Sequence, residues 1–555
     1  MTTRTDKYPA PRNIDIPEKP LTSLVMAAVA KYPENVALSF FGTAITYRQL
    51  DRYIQQAMNV LRSVGVEKGD RVAIMAPNSP QAVIAYQAIL RIGAVVSQTN
   101  PLYVEREIKE QFNDAGVAVV VTLNLFAPKI KAVMGSTALR KALVFRLEEF
   151  MPWPMSWLFQ LKLALERRSV PNVVHPDFLN WDELVRSAPG QAEHASVDPL
   201  DTALLQYTGG TTGAAKGVAL THRNVLSNAL QCRAWFTAAE EGKEVFMLAL
   251  PMFHAFGMTA GLNLGFSLAG KIVLVPKFEA DTVMKLIEKH RATIFPGVPA
   301  MYVAINNHPK APKRNISSIK YCVSGAAPLA LEVKSRFESL TGGKLVEGYG
   351  LTEASPCTHC NPLDWAKPGS IGLPLPNTES LIVKGEEAET ASTGEMGELI
   401  VRGPQVMAGY HNRPNETARV VKSGWLFTGD MGYMDEEGYV FLMDRKKEMI
   451  ISGGCNVYPK EVEDVLFSLQ GVLEAAVVGV RDSQMGEKVV AAVVLKPGIK
   501  LDEKEVIAHC KRLVASYKAP KKIYFMESLP KTVIGKVLKR VLKEEIEKMS
   551  LRLPH

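Results

Sequence analysis

Short β-branched runs alternate with amphipathic stretches through the first part of the chain. Arg71-Val-Ala-Ile-Met75, Ala94-Val-Val-Ser97 and Val117-Ala-Val-Val-Val-Thr122 read as strands, and the stretch from Ser79 to Ile92 reads as a helix. In Asn78-Ser79-Pro80 the serine can cap that helix, and the proline can fill its first position, where no amide hydrogen is needed. Strand, helix, strand in this order predicts α/β units on a parallel sheet. The C-terminal portion has another rhythm: Glu461 to Leu469 is helical, Val472 to Val480 and Val489 to Leu495 are strand-like, and Asp502 to Val514 is helical again. The expected fold class is therefore α/β, with a large layered N-terminal domain of sheets and helices and a small α+β C-terminal domain. The charged segment Asp444-Arg445-Lys446-Lys447 predicts a boundary, with residues 1–444 before it, 445–447 between, and residues 448–555 after it.

Two apolar stretches stand outside this pattern. Met247 to Gly270 contains no Lys, Arg, Asp or Glu and is long enough to cross a bilayer. Pro251, His254 and Asn263 argue against lipid, and a buried helix near a ligand cavity is the expectation. Phe150 to Arg168 carries Trp153 and Trp157 beside Lys162, Arg167 and Arg168. That composition suits a helix lying in a membrane interface, so peripheral membrane contact is expected, with an insertion docked on the core as the alternative.

A chain of 555 residues exceeds what one hydrophobic core supports. With 47% hydrophobic and 22% charged residues it has the balance of an ordinary folded protein. The net charge of +8 suits anionic small ligands, and no Lys/Arg stripe with interleaved aromatics marks a nucleic-acid surface, so no nucleic-acid partner is expected. Six cysteines at 232, 322, 357, 360, 455 and 510 form no disulfide framework, and the first residues lack the apolar core of a secretory leader. The expected location is the cytoplasm, with the inner membrane face as the site of any peripheral contact.

The densest chemical signal is Tyr207-Thr-Gly-Gly-Thr-Thr-Gly-Ala-Ala-Lys-Gly217. Gly209, Gly210 and Gly213 let backbone amides curl around an anion, Thr208, Thr211 and Thr212 add hydroxyls, and Lys216 adds a cation: a phosphate cradle. It is not a Walker A loop, because Ala215 precedes Lys216 and Gly217 follows it. The plainer alternative is a Gly/Thr turn between two strands. Cys357-Thr-His-Cys360 lacks the second pair that a closed zinc site requires, and small side chains packed beside a site are expected there. Gly257, Gly261 and Gly265 recur every four residues; such a stripe can leave a groove for an extended chain or admit close packing.

The Gly/Thr loop resembles the phosphate loop of the adenylate-forming acyl-CoA synthetases, a family that includes luciferases and peptide-synthetase adenylation domains. Six further segments resemble that family's motifs in the same order: Leu250-Pro-Met-Phe-His-Ala-Phe-Gly257, Ser324-Gly-Ala-Ala-Pro328, Gly348-Tyr-Gly-Leu-Thr-Glu353, Trp425-Leu-Phe-Thr-Gly-Asp430, Asp444-Arg-Lys-Lys447 and Pro530-Lys-Thr-Val-Ile-Gly-Lys536. The likeness runs from about Leu21 to Val541, and bacterial long-chain fatty-acid–CoA ligases are the subgroup it most resembles.

The resemblance implies ATP, Mg²⁺ and coenzyme A as cofactor and co-substrates, and a fatty acid as substrate. It assigns Glu353 and Thr208 to Mg²⁺, a pairing of hard oxygen donors that this ion prefers, with Thr352 beside them. It places Gly325, Ala326 and the Gly348-Tyr349-Gly350 run at the adenine, Asp430 and Arg445 at the ribose, and His254 at the mouth of the acyl pocket. Lys447 becomes the hinge of a mobile C-terminal domain, and Lys536 an ammonium that enters the site when that domain closes. Lys216, Glu353 and Lys536 then carry the chemistry, while Gly257 and Gly261 would border the acyl chain. The implied reaction is attack of a carboxylate on the α-phosphorus of ATP, followed by transfer of the acyl group to a thiol. Aromatic or medium-chain acids, a carrier-protein thiol, or a non-catalytic membrane-associated fatty-acid carrier are the alternatives.

Overall fold

The computed structural model describes residues 8–165, 175–208, 215–385, 387–445, 448–452, 455–482, 485–532 and 535–552. It divides into two compact units: one comprises Met1–Pro368, Gly372–Glu379 and Arg402–Leu426, the other Gly369–Ile371, Ser380–Val401 and Phe427–His555.

In the first unit an eight-stranded sheet runs in the order Gly409–Tyr410, Lys216–Thr221, Thr202–Thr208, Val95–Gln98, Arg71–Met75, Val117–Leu123, Lys141–Phe145, Phe178–Asn180. From Thr202–Thr208 to Phe178–Asn180 every neighbouring pair is parallel, as the strand–helix–strand pattern predicts; the other two strands join antiparallel. The expected helix is Pro80–Arg91, and Ser79 caps it: the Ala82 amide donates to the serine Oγ at 3.3 Å. All twelve residues of this helix are buried. On one face of the sheet Ala73, Val117, Val120 and Ala142 pack with Ile108 and Phe112 of helix Glu105–Ala115.

Two four-stranded sheets complete this unit. One carries Val245–Leu248 and Lys271–Leu274 side by side and parallel; the other runs Tyr321–Ser324, Lys344–Gly350, Cys357–Cys360, Leu373–Pro374. The uncharged stretch from Met247 is buried, as expected, but it is not one α-helix. It passes from strand through a turn into a π-helix, Gly257–Asn263, and then a short helix, Leu264–Ser267. Among the described residues no helix is long and apolar enough to cross a membrane.

The second unit contains strand Trp425–Met434 from Phe427 onward, paired as a hairpin with Val440–Arg445, and a five-stranded C-terminal sheet. The latter is ordered Cys455–Val457, Ile450–Ser452, Gly486–Leu495, Val472–Asp482, with Lys522–Phe525 parallel to Gly486–Leu495. Alternate residues serve two cores. Val477, Val489, Ala491 and Val493 pack with Val462, Leu466, Val506 and Cys510, whereas Val478, Val490, Ala492 and Val494 pack with Leu542 and Ile546. Helices Pro459–Phe467 and Glu503–Leu513 supply the first core and Lys539–Arg552 the second, the α+β arrangement expected from the sequence. The strand Val440–Arg445 ends where the expected hinge begins, and Lys447 lies outside the described residues.

Candidate active site

The phosphate-loop segment is the connection of an antiparallel hairpin. Thr202–Thr208 pairs with Lys216–Thr221, and its last register pair is Thr208 with Lys216, so both predicted ligands stand at the mouth of the loop. Gly209, Gly210, Thr211, Thr212 and Gly213 lie outside the described residues. Buried Leu204, Leu205, Val218 and Leu220 fix the hairpin below its mouth.

Gly409–Tyr410 extends this hairpin as a further strand, pairing Gly409 with Ala219 and Tyr410 with Val218. The His411 amide donates to the Gly217 carbonyl at 2.7 Å. This places the Tyr410 ring 5.0 Å from Lys216 Nζ, and the Tyr410 hydroxyl donates to Glu353 Oε1 at 2.8 Å. Lys216 also forms an ion pair with Glu416. On the other flank, the Tyr207 hydroxyl donates to Asp114 Oδ2 at 2.7 Å, and Arg413 Nη2 meets Asp114 Oδ1 at 3.1 Å. Burial, with the Asp114 carboxylate, raises the Tyr207 pKa and keeps its hydroxyl protonated. Lys216 and Glu353, two of the residues expected to carry the chemistry, are thus tied through Tyr410.

Glu353 lies in the one-turn 3₁₀ helix Thr352–Ala354, ended by Ser355 at φ 69°. The Met407 amide donates to the Glu353 carbonyl at 2.8 Å, and the Ser355 hydroxyl donates to the Gln405 carbonyl at 2.9 Å. Upstream, Gly350 admits no side chain, since a Cβ would run into the Pro356 carbonyl. A Cβ on Gly348 would stand 2.8 Å from Val323 Cγ1, and Tyr349 pairs with His359 across the sheet.

Gly325 and Ala326 follow the strand Tyr321–Ser324. Ala326 adopts φ 69°, a left-handed conformation that costs a non-glycine residue and tends to persist where the surroundings over-determine it, as at functional sites. A Cβ on Gly325 would lie 3.0 Å from the Phe256 ring. His254 is half-buried; it donates its amide to the Pro251 carbonyl at 3.1 Å, and the Phe256 amide donates to its Nδ1 at 3.4 Å.

The glycine stripe meets the packing alternative. Gly257, Gly261 and Gly265 are closely packed: Cβ atoms there would strike the Pro251 carbonyl, Leu248 Cδ1 and Ile272 Cδ1 respectively. The stripe exists so that the π-helix and the turn after it can press onto the strands Val245–Leu248 and Lys271–Leu274. Other positions of that segment, Ala260 and Leu264, line a narrow apolar pocket with a free volume of about 30 Å³. Gly348, Cys357 and Cys360 line it too, with Cys232 and Trp235 of helix His222–Trp235. Among the described residues no cluster of three His, Cys, Asp or Glu is placed to hold a metal ion.

In the second unit Asp430 is buried and directly opposite Arg445 in the hairpin register. Its amide donates to Thr428 Oγ1 at 3.1 Å, and the Gly429 amide donates to Glu398 Oε1 at 3.0 Å. Lys536 is exposed on a tight turn in which its amide donates to Thr532 Oγ1 at 3.1 Å and its carbonyl accepts from the Thr532 amide at 2.8 Å.

A model of the family described as AMP-binding enzyme matches residues 25–411, and one described as AMP-binding enzyme C-terminal domain matches residues 461–536. The chain belongs to the AMP-binding enzymes. This AMP-binding enzyme is 44% identical to the long-chain-fatty-acid–CoA ligase of Bacillus subtilis (strain 168), with 97% of each chain covered. It is 38% identical to the protein of the same name from Escherichia coli O157:H7, again over 97% of each. The crystal structure of ATP-bound MatB from Rhodopseudomonas palustris superimposes with a TM-score of 0.85 at 29% identity, covering 95% of this chain and 99% of that one.

Proposed function

We propose that this AMP-binding enzyme is a long-chain fatty-acid–CoA ligase. Gly348, one residue before the tyrosine expected at the adenine, is part of the wall of the narrow apolar pocket. The observation that carries the reading is the likeness along the whole chain, and the pocket adds apolar walls that an acyl chain would have to part. The full-length likeness to two ligases of that name supports the chain-length class.

In the proposed reaction the substrate carboxylate, already ionised near neutral pH, attacks the α-phosphorus of ATP and pyrophosphate leaves with the bridging electron pair. The thiol of coenzyme A then attacks the acyl carbonyl, and AMP departs, giving the thioester. The loop Gly209–Gly213 with Thr208 and Lys216 holds the phosphates, Gly325, Ala326 and Tyr349 the adenine, and Asp430 and Arg445 the ribose. Glu353, with Thr208, fits Mg²⁺: its carboxylate is oriented through one oxygen by Tyr410, and this ion is commonly held by one or two carboxylates plus substrate phosphates. When bound, the ion would neutralise phosphate charge. Lys536 brings its ammonium to the carboxylate and α-phosphate for the first step and withdraws for the second, with Lys447 as the hinge.

Peripheral membrane contact belongs to the same proposal. Helix Met155–Leu165 and the residues before it expose Trp153 (84%), Trp157 (56%), Leu158 (52%), Met155 and Leu161. A Cβ on Gly42 would have Pro152 Cγ at 3.8 Å and Lys289 Nζ at 4.0 Å, so a cation lies close to the start of the exposed stretch. Trp and Leu beside basic groups suit the headgroup layer of an anionic bilayer.

The deciding experiment measures pyrophosphate release over acids of graded chain length and aryl acids, with and without coenzyme A. The proposal requires release that peaks for long chains and thioester formation only with coenzyme A. Turnover confined to aryl or short acids would overturn the substrate class, and absence of pyrophosphate release with every acid would overturn the reaction.

A further inference from the structure

Lys216, at the exit of the loop, is held by a carboxylate. Its Nζ pairs with Oε2 of Glu416, the third residue of helix Pro414–Val420. The two side chains are 27% and 32% exposed, so the pair lies at a rim where water screens it and a polyanion can compete for the cation. Lys216, and after it Arg413 and Arg419, hold the Glu416 carboxyl below the usual carboxylate range.

Glu416 also has a second cation within reach. Arg413 Nη1 lies 3.7 Å from its Oε1, and the same guanidinium is anchored to Asp114 at 3.1 Å, which in turn receives the Tyr207 hydroxyl. The carboxylate can lose Lys216 and keep a partner. Tyr410 completes the arrangement: its ring faces Lys216, its hydroxyl reaches Glu353, and its amide donates to Thr417 Oγ1, next to Glu416, at 2.9 Å.

We propose that Glu416 is a positioning residue that occupies Lys216 while no nucleotide is bound and yields it to a polyphosphate chain. This rests on the reading of the hairpin loop as the nucleotide phosphate site. The carboxylate then stands in for phosphate: it keeps the ammonium at the loop mouth, and its displacement subtracts from the affinity that the cradle would otherwise reach. Once Lys216 turns to the phosphates, Arg413 retains Glu416, so no carboxylate is left without a cation. If Glu416 served only as a first-turn acid on its helix dipole, its loss would lower stability without distinguishing ligands by phosphate content.

Glu416→Gln keeps the shape and removes the charge. Calorimetric titration of the full-length protein with ATP, pyrophosphate and adenosine reads the effect. Removing competition from one exposed ion pair is expected to tighten ATP and pyrophosphate about two- to five-fold and leave adenosine unchanged. In a Lys216→Gln background the gain from Glu416→Gln should vanish. ATP binding that is unchanged or weaker in Glu416→Gln with a native melting temperature would overturn the proposal, as would an equal gain for adenosine. If Glu416→Gln folds poorly, Glu416→Asp retains the helix-dipole charge with a shorter arm: a smaller gain in the same direction supports the proposal, and no gain overturns it. Wild-type protein that binds neither ATP nor pyrophosphate would instead overturn the nucleotide-site reading itself.

Discussion

Tyr410 donates its phenolic hydrogen to Glu353 Oε1 across 2.8 Å, although the two residues are 57 apart in the chain. The bond aims a carboxylate whose other side is proposed to meet Mg²⁺. Tyr410→Phe removes only the hydroxyl. Hydrogen bonds to charged groups contribute about 1.5–3 kcal/mol, so roughly a ten-fold or greater fall in kcat/KM for pyrophosphate release is expected. The Mg²⁺ concentration for half-maximal rate should rise as well. A magnesium titration of both proteins checks this, and an unchanged midpoint would remove Tyr410 from the positioning of Glu353.

Lys536 separates the two half-reactions. Losing a preorganised charge of this kind typically costs about 10²–10³-fold, so Lys536→Ala should nearly abolish pyrophosphate release from ATP and acid. Supplied acyl-AMP and coenzyme A should still give thioester. Equal loss of both steps in folded protein would contradict the assignment.

The cavity wall and the glycine stripe respond differently to added volume. Ala260→Val adds two methyl groups toward the narrow pocket and is expected to shift the preferred acid to shorter chains while adenylation of short acids survives. Gly261→Ala pushes a methyl at Leu248 instead; overpacking of this sort costs about 1–3 kcal/mol and should lower the melting temperature with little change in chain-length profile. Chain-length profiles and melting curves of the two variants decide between cavity and stripe.

His359, fully buried on the cavity wall, supplies a pH dependence. Burial pushes its pKa down to about 3, below the ordinary value of 6.5, so the unfolded chain binds a proton that the folded chain refuses. Stability from this group is present above pH 6.5 and is lost as pH falls toward 3. His359→Gln should flatten the fall of melting temperature over that interval by the contribution of about one proton. An identical slope in the variant would show that the imidazole titrates normally.

Membrane contact is tested by sedimentation with anionic vesicles at low salt. Wild-type protein is expected to co-sediment, and Trp153→Ser with Trp157→Ser to reduce binding several-fold with activity on soluble short acids retained. No sedimentation of the wild type, or no effect of the pair, would end the idea.

What the sequence disclosed and what it withheld follow from range. The hairpin around Thr208 and Lys216, the Ser79 cap and the alternating C-terminal strands are local, and neighbouring residues announce them. The stretch after Met247 was legible as buried, not as a π-helix, because its apolar composition satisfies several backbone geometries. Tyr410, Arg413, Glu416 and Asp114 left no local signal: Arg413 and Asp114 meet across 299 positions, and each alone resembles an ordinary surface residue. The glycine stripe was ambiguous for another reason. A four-residue spacing serves a groove and a packed face equally, and only the presence of Leu248 and Ile272 decides.

In the C-terminal sheet both faces are covered, so polarity cannot tell the strands Val472–Asp482 and Gly486–Leu495 how to align. Size can. On the face shared with Val462 and Leu466, Ala475 lies opposite Val493 and Val477 opposite Ala491. Sliding either strand by two residues would keep every side chain on its own face, yet it would set valine against valine and leave alanine mismatched elsewhere. On this face the alignment is thus written in volumes, like the wards of a key, whereas the other face sets Val478 opposite Val490 and Ala476 opposite Ala492. Exchanging Ala491 and Val493 would keep the composition and the hydrophobicity while erasing the instruction.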